Sequence, residues 1–142
     1  MKLLLTGKNG QVGFELQRAL AQLCEIVAVD QTECDLPDPE AVRRLVRDVR
    51  PDVIVNPAAY TAVDKAEADR DLAFAVNAVA PAIFGEEAAR LGTFVVHYST
   101  DYVFDGTKQL PTVKTTPPTR KASTARASAT ANGRCRPPTR AT

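Results

Sequence analysis

A glycine-rich loop near the start of this chain limits the folds open to it. A short apolar run, Leu3–Leu5, is followed by glycines at positions 7, 10 and 13, and apolar residues then recur with helical spacing up to Leu23. In a strand–turn–helix unit of this kind, backbone N–H groups and the helix N-terminus can hold a pyrophosphate. The loop therefore predicts a dinucleotide site, and the alternative is a glycine-rich turn in another α/β protein.

Residues 1–106 alternate apolar strands with helical stripes. The predicted strands are 2–5, 25–29, 53–55 and 93–98, and the predicted helices are 11–23, one starting at 39 and 69–91. Strands that are almost entirely apolar indicate a parallel sheet with both faces covered. We therefore predict an α/β fold with a Rossmann-like doubly wound parallel sheet, incomplete in this chain, whose ligands sit at the carboxyl ends of the strands.

Two positions refine the predicted helices. Asp38 is a natural N-cap and Pro39 fits the first position of a helix. Pro81 lies inside the third helix and has no N–H for the carbonyl of Asn77, so a kink is expected there.

The chain divides into two unlike parts. Residues 1–106 carry 10 Lys and Arg and 17 Asp and Glu, whereas residues 107–142 carry 8 Lys and Arg and no acid. The second part is rich in Thr, Ala, Pro and Arg, so it cannot bury enough apolar surface to offset the entropy of ordering. We predict a partial dinucleotide-binding domain over 1–106 and a disordered basic tail over 107–142. A nucleic-acid-binding arm is the less favoured alternative, because the tail has no aromatic residue.

The composition of the tail is also typical of a GC-rich gene translated in the wrong frame. If the third base of each codon is joined to the next two, Ala122–Cys135 can encode a string beginning Val-Tyr-Gly-Lys-Gly-Lys, which contains Tyr-x-x-x-Lys. We therefore expect a frameshift near Leu110–Pro111.

Little in the chain points to secretion or to a membrane. The cysteines are Cys24, Cys34 and Cys135, an odd number without metal-ligand spacing, which suits a reducing cytoplasm. The first apolar run is too short for a signal peptide, and no run reaches transmembrane length. We expect a cytoplasmic protein, and the scattered carboxylates predict no metal site.

The predicted strand ends carry the candidate cofactor residues. Asp30 can accept hydrogen bonds from both hydroxyls of an adenosine ribose, which favours NAD(H), whereas Lys8 partly offsets that preference. Asp35 and Leu36 can bind an adenine by its amine and its ring face. The alternative for Asp30 is a solvated strand-end carboxylate, and for Lys8 it is a surface lysine. The alternative for Asp35 and Leu36 is an ordinary turn before a capped helix.

Two further strand ends extend the predicted site. Ala58 and Ala59 are small enough for a cofactor to lie against the backbone, and Tyr60 can line the site; a tight turn is the alternative. After the fourth strand, the hydroxyl of Thr100 can polarise a substrate carbonyl and Asp101 can hold a substrate hydroxyl, or both belong to a polar turn. His97 is read as a buried, satisfied histidine.

These residues together resemble the extended short-chain dehydrogenase/reductase family over residues 1 to about 110. The motifs that carry the resemblance are Gly7–Gly13, Arg50–Asn56, Tyr60–Glu67 and Ser99–Gly106. The similarity is to members that reduce the 4-keto group of dTDP-4-dehydro-L-rhamnose to dTDP-L-rhamnose with NADPH or NADH. It implies a place in nucleotide-sugar and polysaccharide biosynthesis.

The resemblance also assigns site residues by matching motif. Thr100 takes the hydroxyl role in catalysis, and Thr100 and Asp101 contact the sugar nucleotide. Members are described with Mg²⁺ and as homodimers, but residues for either do not stand out here. The cofactor-binding residues that the resemblance and the glycine loop give are Gly7, Gly10, Gln11, Val12, Gly13, Asp30, Asp35, Leu36, Ala58, Ala59 and Tyr60.

The chain departs from the family after Phe104. The family's catalytic Tyr-x-x-x-Lys pair is expected downstream, yet the tyrosines of this chain are Tyr60, Tyr98 and Tyr102. In such a pair the tyrosine supplies a proton to the developing alkoxide. We therefore expect no reductase activity from this chain as written. The alternatives are a non-catalytic dinucleotide-binding module, or an epimerase or dehydratase of the same superfamily.

Overall fold

The computed structural model describes residues 1–62, 65 and 68–100, and their strands form one parallel sheet. The strands are β1 (Lys2–Thr6), β2 (Glu25–Val29), β3 (Val53–Asn56) and β4 (Phe94–His97). Their order in the sheet is β2-β1-β3-β4, and every pair is parallel. The chain thus builds outward from β1 in one direction and then in the other, which confirms the predicted doubly wound architecture.

Helices connect the strands. They are α1 (Gln11–Leu20), α2 (Pro39–Val49), α3 (Arg70–Phe74), a π-helical segment (Ala75–Val79) and α4 (Ala80–Leu91). The last three form one 22-residue helix that is long and apolar enough to cross a membrane by length and composition alone, so the prediction that no run reaches transmembrane length was wrong. More than half of its most apolar window is buried against the rest of the chain, so we interpret it as a core helix.

The sheet has an apolar layer on each face because successive strand residues point to opposite sides. On one face Leu4 and Ile54 pack with Val42 of α2 and Phe84 of α4. On the other face lie Leu3, Leu5 and Val55, with Leu16 and Leu20 of α1 packed against them. Alternation along β1 therefore fixes which helices cover each side.

The ends of two helices show how local chemistry sets their length. The Asp38 carboxylate accepts the Glu40 N–H at 2.9 Å, so the predicted cap of α2 is confirmed. The prediction for α1 was too long: it ends at Leu20, whose carbonyl accepts the N–H groups of both Leu23 and Cys24 in a closing turn. Leu23 is 72% exposed, so it does not extend the apolar stripe.

Near Pro81, where the sequence predicts a kink, the helix changes type. The π-helical segment directly precedes α4, and Pro81 is the second residue of α4, so the hydrogen-bond pattern changes where the proline has no N–H to donate. π-Helical turns are frequent at functional sites, which directs attention to the buried Asn77 within this one.

A buried carboxylate joins α2 to α4. Glu87 is 1% exposed and accepts hydrogen bonds from Arg47 Nε and Nη2 at 2.9 and 2.8 Å, from Arg90 at 2.9 Å and from Arg43 at 3.3 Å. The hydrogen bond from Arg47, followed by that from Arg43, lowers the pKa of Glu87 to about 2. The charge is therefore present and compensated at neutral pH.

Three predictions concern residues outside the described ranges. The domain boundary after 106, the disordered tail and the frameshift all fall on 107–142, and positions 63, 64, 66 and 67 of the Tyr60–Glu67 motif lie outside as well.

Candidate functional site

The glycine loop forms the start of the site, and two of its glycines are required by contact. Gly7 has a φ of 64°, and a Cβ there would lie 3.2 Å from Ala58 of the loop after β3. A Cβ on Gly13 would lie 2.0 Å from the Gly7 carbonyl oxygen, which no side chain can tolerate. The loop between β1 and α1 therefore packs closely on itself at Gly13 and against Ala58 at Gly7.

This compactness aims the start of α1 at the carboxyl edge of the sheet. The first intrahelical hydrogen bond runs from the Phe14 N–H to the Gly10 carbonyl at 2.8 Å. The N–H groups of Gln11, Val12 and Gly13 lie ahead of it and face out from the helix N-terminus. Free N–H groups and the positive end of the helix dipole are the features by which helix N-termini attract anions.

A cleft of about 790 Å³ opens at this edge, between the loops that follow β1, β2 and β3. All eleven predicted cofactor residues line it. The other lining residues are Thr6, Val29, Gln31, Cys34, Pro37, Pro57, Thr61, Leu72 and Val76.

One end of the cleft lies beyond β2 and carries a dense polar arrangement. The Asp30 carboxylate accepts hydrogen bonds from the Thr32 N–H at 2.8 Å and the Thr32 hydroxyl at 2.9 Å, and also from the Asn9 amide. The Asp30 N–H donates to Glu33 at 2.9 Å, and Glu33 forms an ion pair with Lys8. The hydrogen bond from Lys8 and that from the Asp30 backbone lower the pKa of Glu33 to about 2.

The neighbouring adenine-binding candidates, Asp35 and Leu36, line the same end of the cleft. The buried Cys34 lies beside them, and burial followed by the nearby Asp35 raises the pKa of its thiol. A thiol kept protonated behaves as an apolar wall rather than as a nucleophile.

The other end of the cleft depends on Asn77, a residue that sequence reasoning missed. Its side-chain oxygen accepts the Tyr60 N–H at 2.8 Å and its amide nitrogen donates to the Tyr60 carbonyl at 3.1 Å. The Tyr60 hydroxyl donates to Asp69 at 2.9 Å, and burial followed by this carboxylate raises the pKa of Tyr60. The loop after β3 is thus fastened to the helix that follows it.

Beneath the cleft, polar side chains cross three neighbouring strands. The Thr6 hydroxyl donates to the Asn56 oxygen at 2.5 Å, and the Asn56 amide lies 3.2 Å from Nδ1 of His97. Burial lowers the pKa of His97. The prediction of a fully satisfied histidine was wrong in part, because the buried Nε2 has no hydrogen-bond partner among the described residues.

The two predicted substrate-binding residues are not among the described residues that line the cleft. Thr100 follows β4 and is not among the described residues that line the cleft, and Asp101 lies outside the described ranges. Within the described part of the chain, no group of three or more His, Cys, Asp or Glu side chains is placed to hold a metal ion.

Similarity to known proteins agrees with this geometry. The family described as the RmlD substrate binding domain matches residues 1–129. A dTDP-4-dehydrorhamnose reductase of Burkholderia thailandensis is 53% identical over 117 residues, which are 82% of this chain and 39% of that protein. This chain therefore spans about two fifths of the length of the curated relatives it matches.

Solved structures give the same result. A dTDP-4-dehydrorhamnose reductase of Clostridium acetobutylicum superposes with a TM-score of 0.90 at 34% identity, over 95% of this chain and 49% of that one. The enzyme of Bacillus anthracis, solved in complex with NADP, superposes with a TM-score of 0.88 at 30% identity, over 94% of this chain and 48% of that one. The chain therefore belongs to the family described as the RmlD substrate binding domain, and over its N-terminal part it is similar to dTDP-4-dehydrorhamnose reductases.

Proposed function

We propose that the cleft binds a nicotinamide dinucleotide, NADH or NADPH. The observation that carries the proposal is that all eleven residues expected to touch the cofactor line one cavity at the carboxyl end of a parallel sheet. The contacts of Gly7 and Gly13 add support, because a Cβ at either position would press on the loop that the pyrophosphate must approach.

The proposed assignments follow the cleft from one end to the other. Asp30 accepts the adenosine ribose hydroxyls after the Asn9 amide gives way, and Asp35 and Leu36 bind the adenine. The N–H groups at the start of α1 hold the pyrophosphate. Ala59 and Tyr60 lie along the remainder of the cofactor, in a loop whose position depends on Asn77.

We further propose that the protein is the cofactor-binding part of a dTDP-4-dehydrorhamnose reductase. A bound cofactor would supply hydride to the 4-keto group of the sugar nucleotide. Thr100 would donate a hydrogen bond to the keto oxygen, and Asp101 would hold the sugar. This chain as written contains no Tyr-x-x-x-Lys pair, so we expect it to bind cofactor without turning over substrate. The cytoplasmic location and a homodimer stay predictions.

A substitution that fills the cleft tests the binding proposal. Ala59 lines the cleft and is exposed, so Ala59→Trp adds a ring to the cavity without disturbing buried packing. Ala89→Trp, on the exposed side of α4, is the matched control. Titration of NADH and NADPH fluorescence is expected to show at least about tenfold weaker binding for Ala59→Trp and no change for Ala89→Trp. Equal affinities for both variants and the unchanged chain, or no binding by any of them, would contradict the proposal.

A further inference from the structure

Beyond β2, two carboxylates line the cleft, whereas the nearby lysine is held in an ion pair outside its lining. Asp30 and Asp35 line the cleft, and among the described residues that line it there is no Lys or Arg. The nearest cation of the glycine loop is Lys8, whose ammonium forms an ion pair with Glu33. The side chains of Lys8 and Glu33 are 26% and 43% exposed, so both groups are partly accessible to solvent.

The backbone fixes this ion pair in place. The Lys8 N–H donates to the Val29 carbonyl at 3.2 Å, which ties the loop to the last residue of β2. Glu33 reaches back to accept the Asp30 N–H at 2.9 Å, so its second oxygen is available to Lys8. The hydrogen bond with Glu33 raises the pKa of Lys8 and lowers that of Glu33 to about 2, so both are charged at neutral pH.

NADPH and NADH differ here by one group. NADPH carries a phosphate on the 2′-oxygen of the adenosine ribose, with a charge of about −1.5 to −2 near pH 7. Asp30 suits a free 2′-hydroxyl and repels that phosphate, whereas a nearby cation accommodates it. Lys8 is close enough to Asp30 for that carboxylate to raise its pKa, but Glu33 neutralises the charge of Lys8.

We propose that Glu33 is a specificity-determining residue that withholds Lys8 from a 2′-phosphate and so shifts the cleft toward NADH. The inference rests on the proposed cofactor site. It deepens that proposal because it names which ribose substituent the site selects and which side chain sets the choice. NADPH enters only by separating Lys8 from Glu33 and by placing its phosphate between two carboxylates, Asp30 and Glu33.

The variant Glu33→Gln isolates this effect. Glutamine keeps an oxygen for the Asp30 N–H but leaves no carboxylate for Lys8, and the site is at the surface, where loss of an ion pair changes stability little. Glu25→Gln is the matched control, because Glu25 forms an ion pair with Lys2 (3.5 Å) at the amino end of the sheet. Dissociation constants for NADH and NADPH are measured on the full chain for each variant.

We expect Glu33→Gln to bind NADPH about three- to fivefold more tightly, the effect of one exposed charge pair, and to bind NADH within twofold of the unchanged chain. The gain is expected to disappear in Lys8→Gln/Glu33→Gln, because it depends on the released ammonium. Glu25→Gln is expected to leave both constants unchanged.

Three outcomes would overturn the inference. An equal change for the two cofactors would mean that Glu33 does not read the ribose, and a gain that persists without Lys8 would mean that charge repulsion alone is at work. An unchanged dissociation constant for NADPH in Glu33→Gln would overturn the inference. If that variant still binds NADH, the proposed function is not affected. Failure of the unchanged chain to bind either cofactor would remove both proposals.

Discussion

Removing the charge of Glu87 is the perturbation whose size the structure defines best. This carboxylate is 1% exposed, and three arginines on α2 and α4 donate to it. Glu87→Gln keeps the size of the side chain and one carbonyl acceptor, but it places an NH₂ group against guanidinium donors. The variant therefore tests whether the ion cluster holds the two helices together.

The magnitude follows from the pKa. A carboxyl whose pKa falls from 4.5 to about 2 on folding contributes up to about 3 kcal/mol at neutral pH, at about 1.4 kcal/mol per unit. Arg47 and Arg90 are 49% and 62% exposed, and solvent screening reduces this contribution. We therefore expect Glu87→Gln to lower the free energy of unfolding by about 2 kcal/mol.

The pH dependence gives an independent check. Because the folded pKa is the lower one, the contribution of Glu87 is complete above about pH 4.5 and is lost as the pH falls toward 2. Urea unfolding at pH 7 and pH 3 is expected to show a large difference between Glu87→Gln and the unchanged chain at pH 7 and a smaller one at pH 3.

Glu86→Gln is the matched control. The carboxylate of Glu86 is not buried, since its side chain is 51% exposed, and it pairs with Arg43 at 2.9 Å. We therefore expect Glu86→Gln to lower the free energy of unfolding by less than about 0.5 kcal/mol. Equal losses for the two variants, or a Glu87→Gln difference that does not depend on pH, would refute the reasoning.

Two further predictions concern the cleft. Gly13→Ala is expected to lower the free energy of unfolding in urea by more than about 3 kcal/mol, because the added Cβ lies 2.0 Å from the Gly7 carbonyl oxygen. Gly10→Ala is expected to lower it by less than about 1 kcal/mol, because the same distance is 3.3 Å. Similar losses for the two variants would contradict this contact. Asn77→Asp retains an acceptor for the Tyr60 N–H but loses the donor to its carbonyl, so we expect a loss of about 1–3 kcal/mol and weaker cofactor binding in titrations, and unaltered stability and affinity would refute the role given to Asn77.

Much of the fold could be predicted because local chemistry and global arrangement agree in this chain. The strands are almost wholly apolar, and each strand end is marked by a polar or small residue, so their common edge follows from parallel pairing alone. The cap at Asp38 acts over two residues and needs no tertiary contact. Such short-range features can be recognised in the amino-acid sequence alone.

The features that the sequence did not predict have one local cause and two distant ones. Leu23 continues a helical pattern, but the turn that closes on Leu20 leads the chain directly into β2. Asn77 looks like a polar residue on a long helix, and only the folded chain brings it to Tyr60, 17 residues away. The Lys8–Glu33 pair spans 25 residues and joins two loops whose approach depends on the order of β1 and β2.

The strand order β2-β1-β3-β4 has a mechanical consequence. The loops after β2 and β3 belong to strands that never touch, since β1 separates them. A molecule that fills the cleft from Asp30 to Tyr60 would therefore contact both loops and link the two halves of the sheet. At a concentration one hundred times its dissociation constant it would add about 2.7 kcal/mol to stability, so heat resistance should report on occupancy of the cleft.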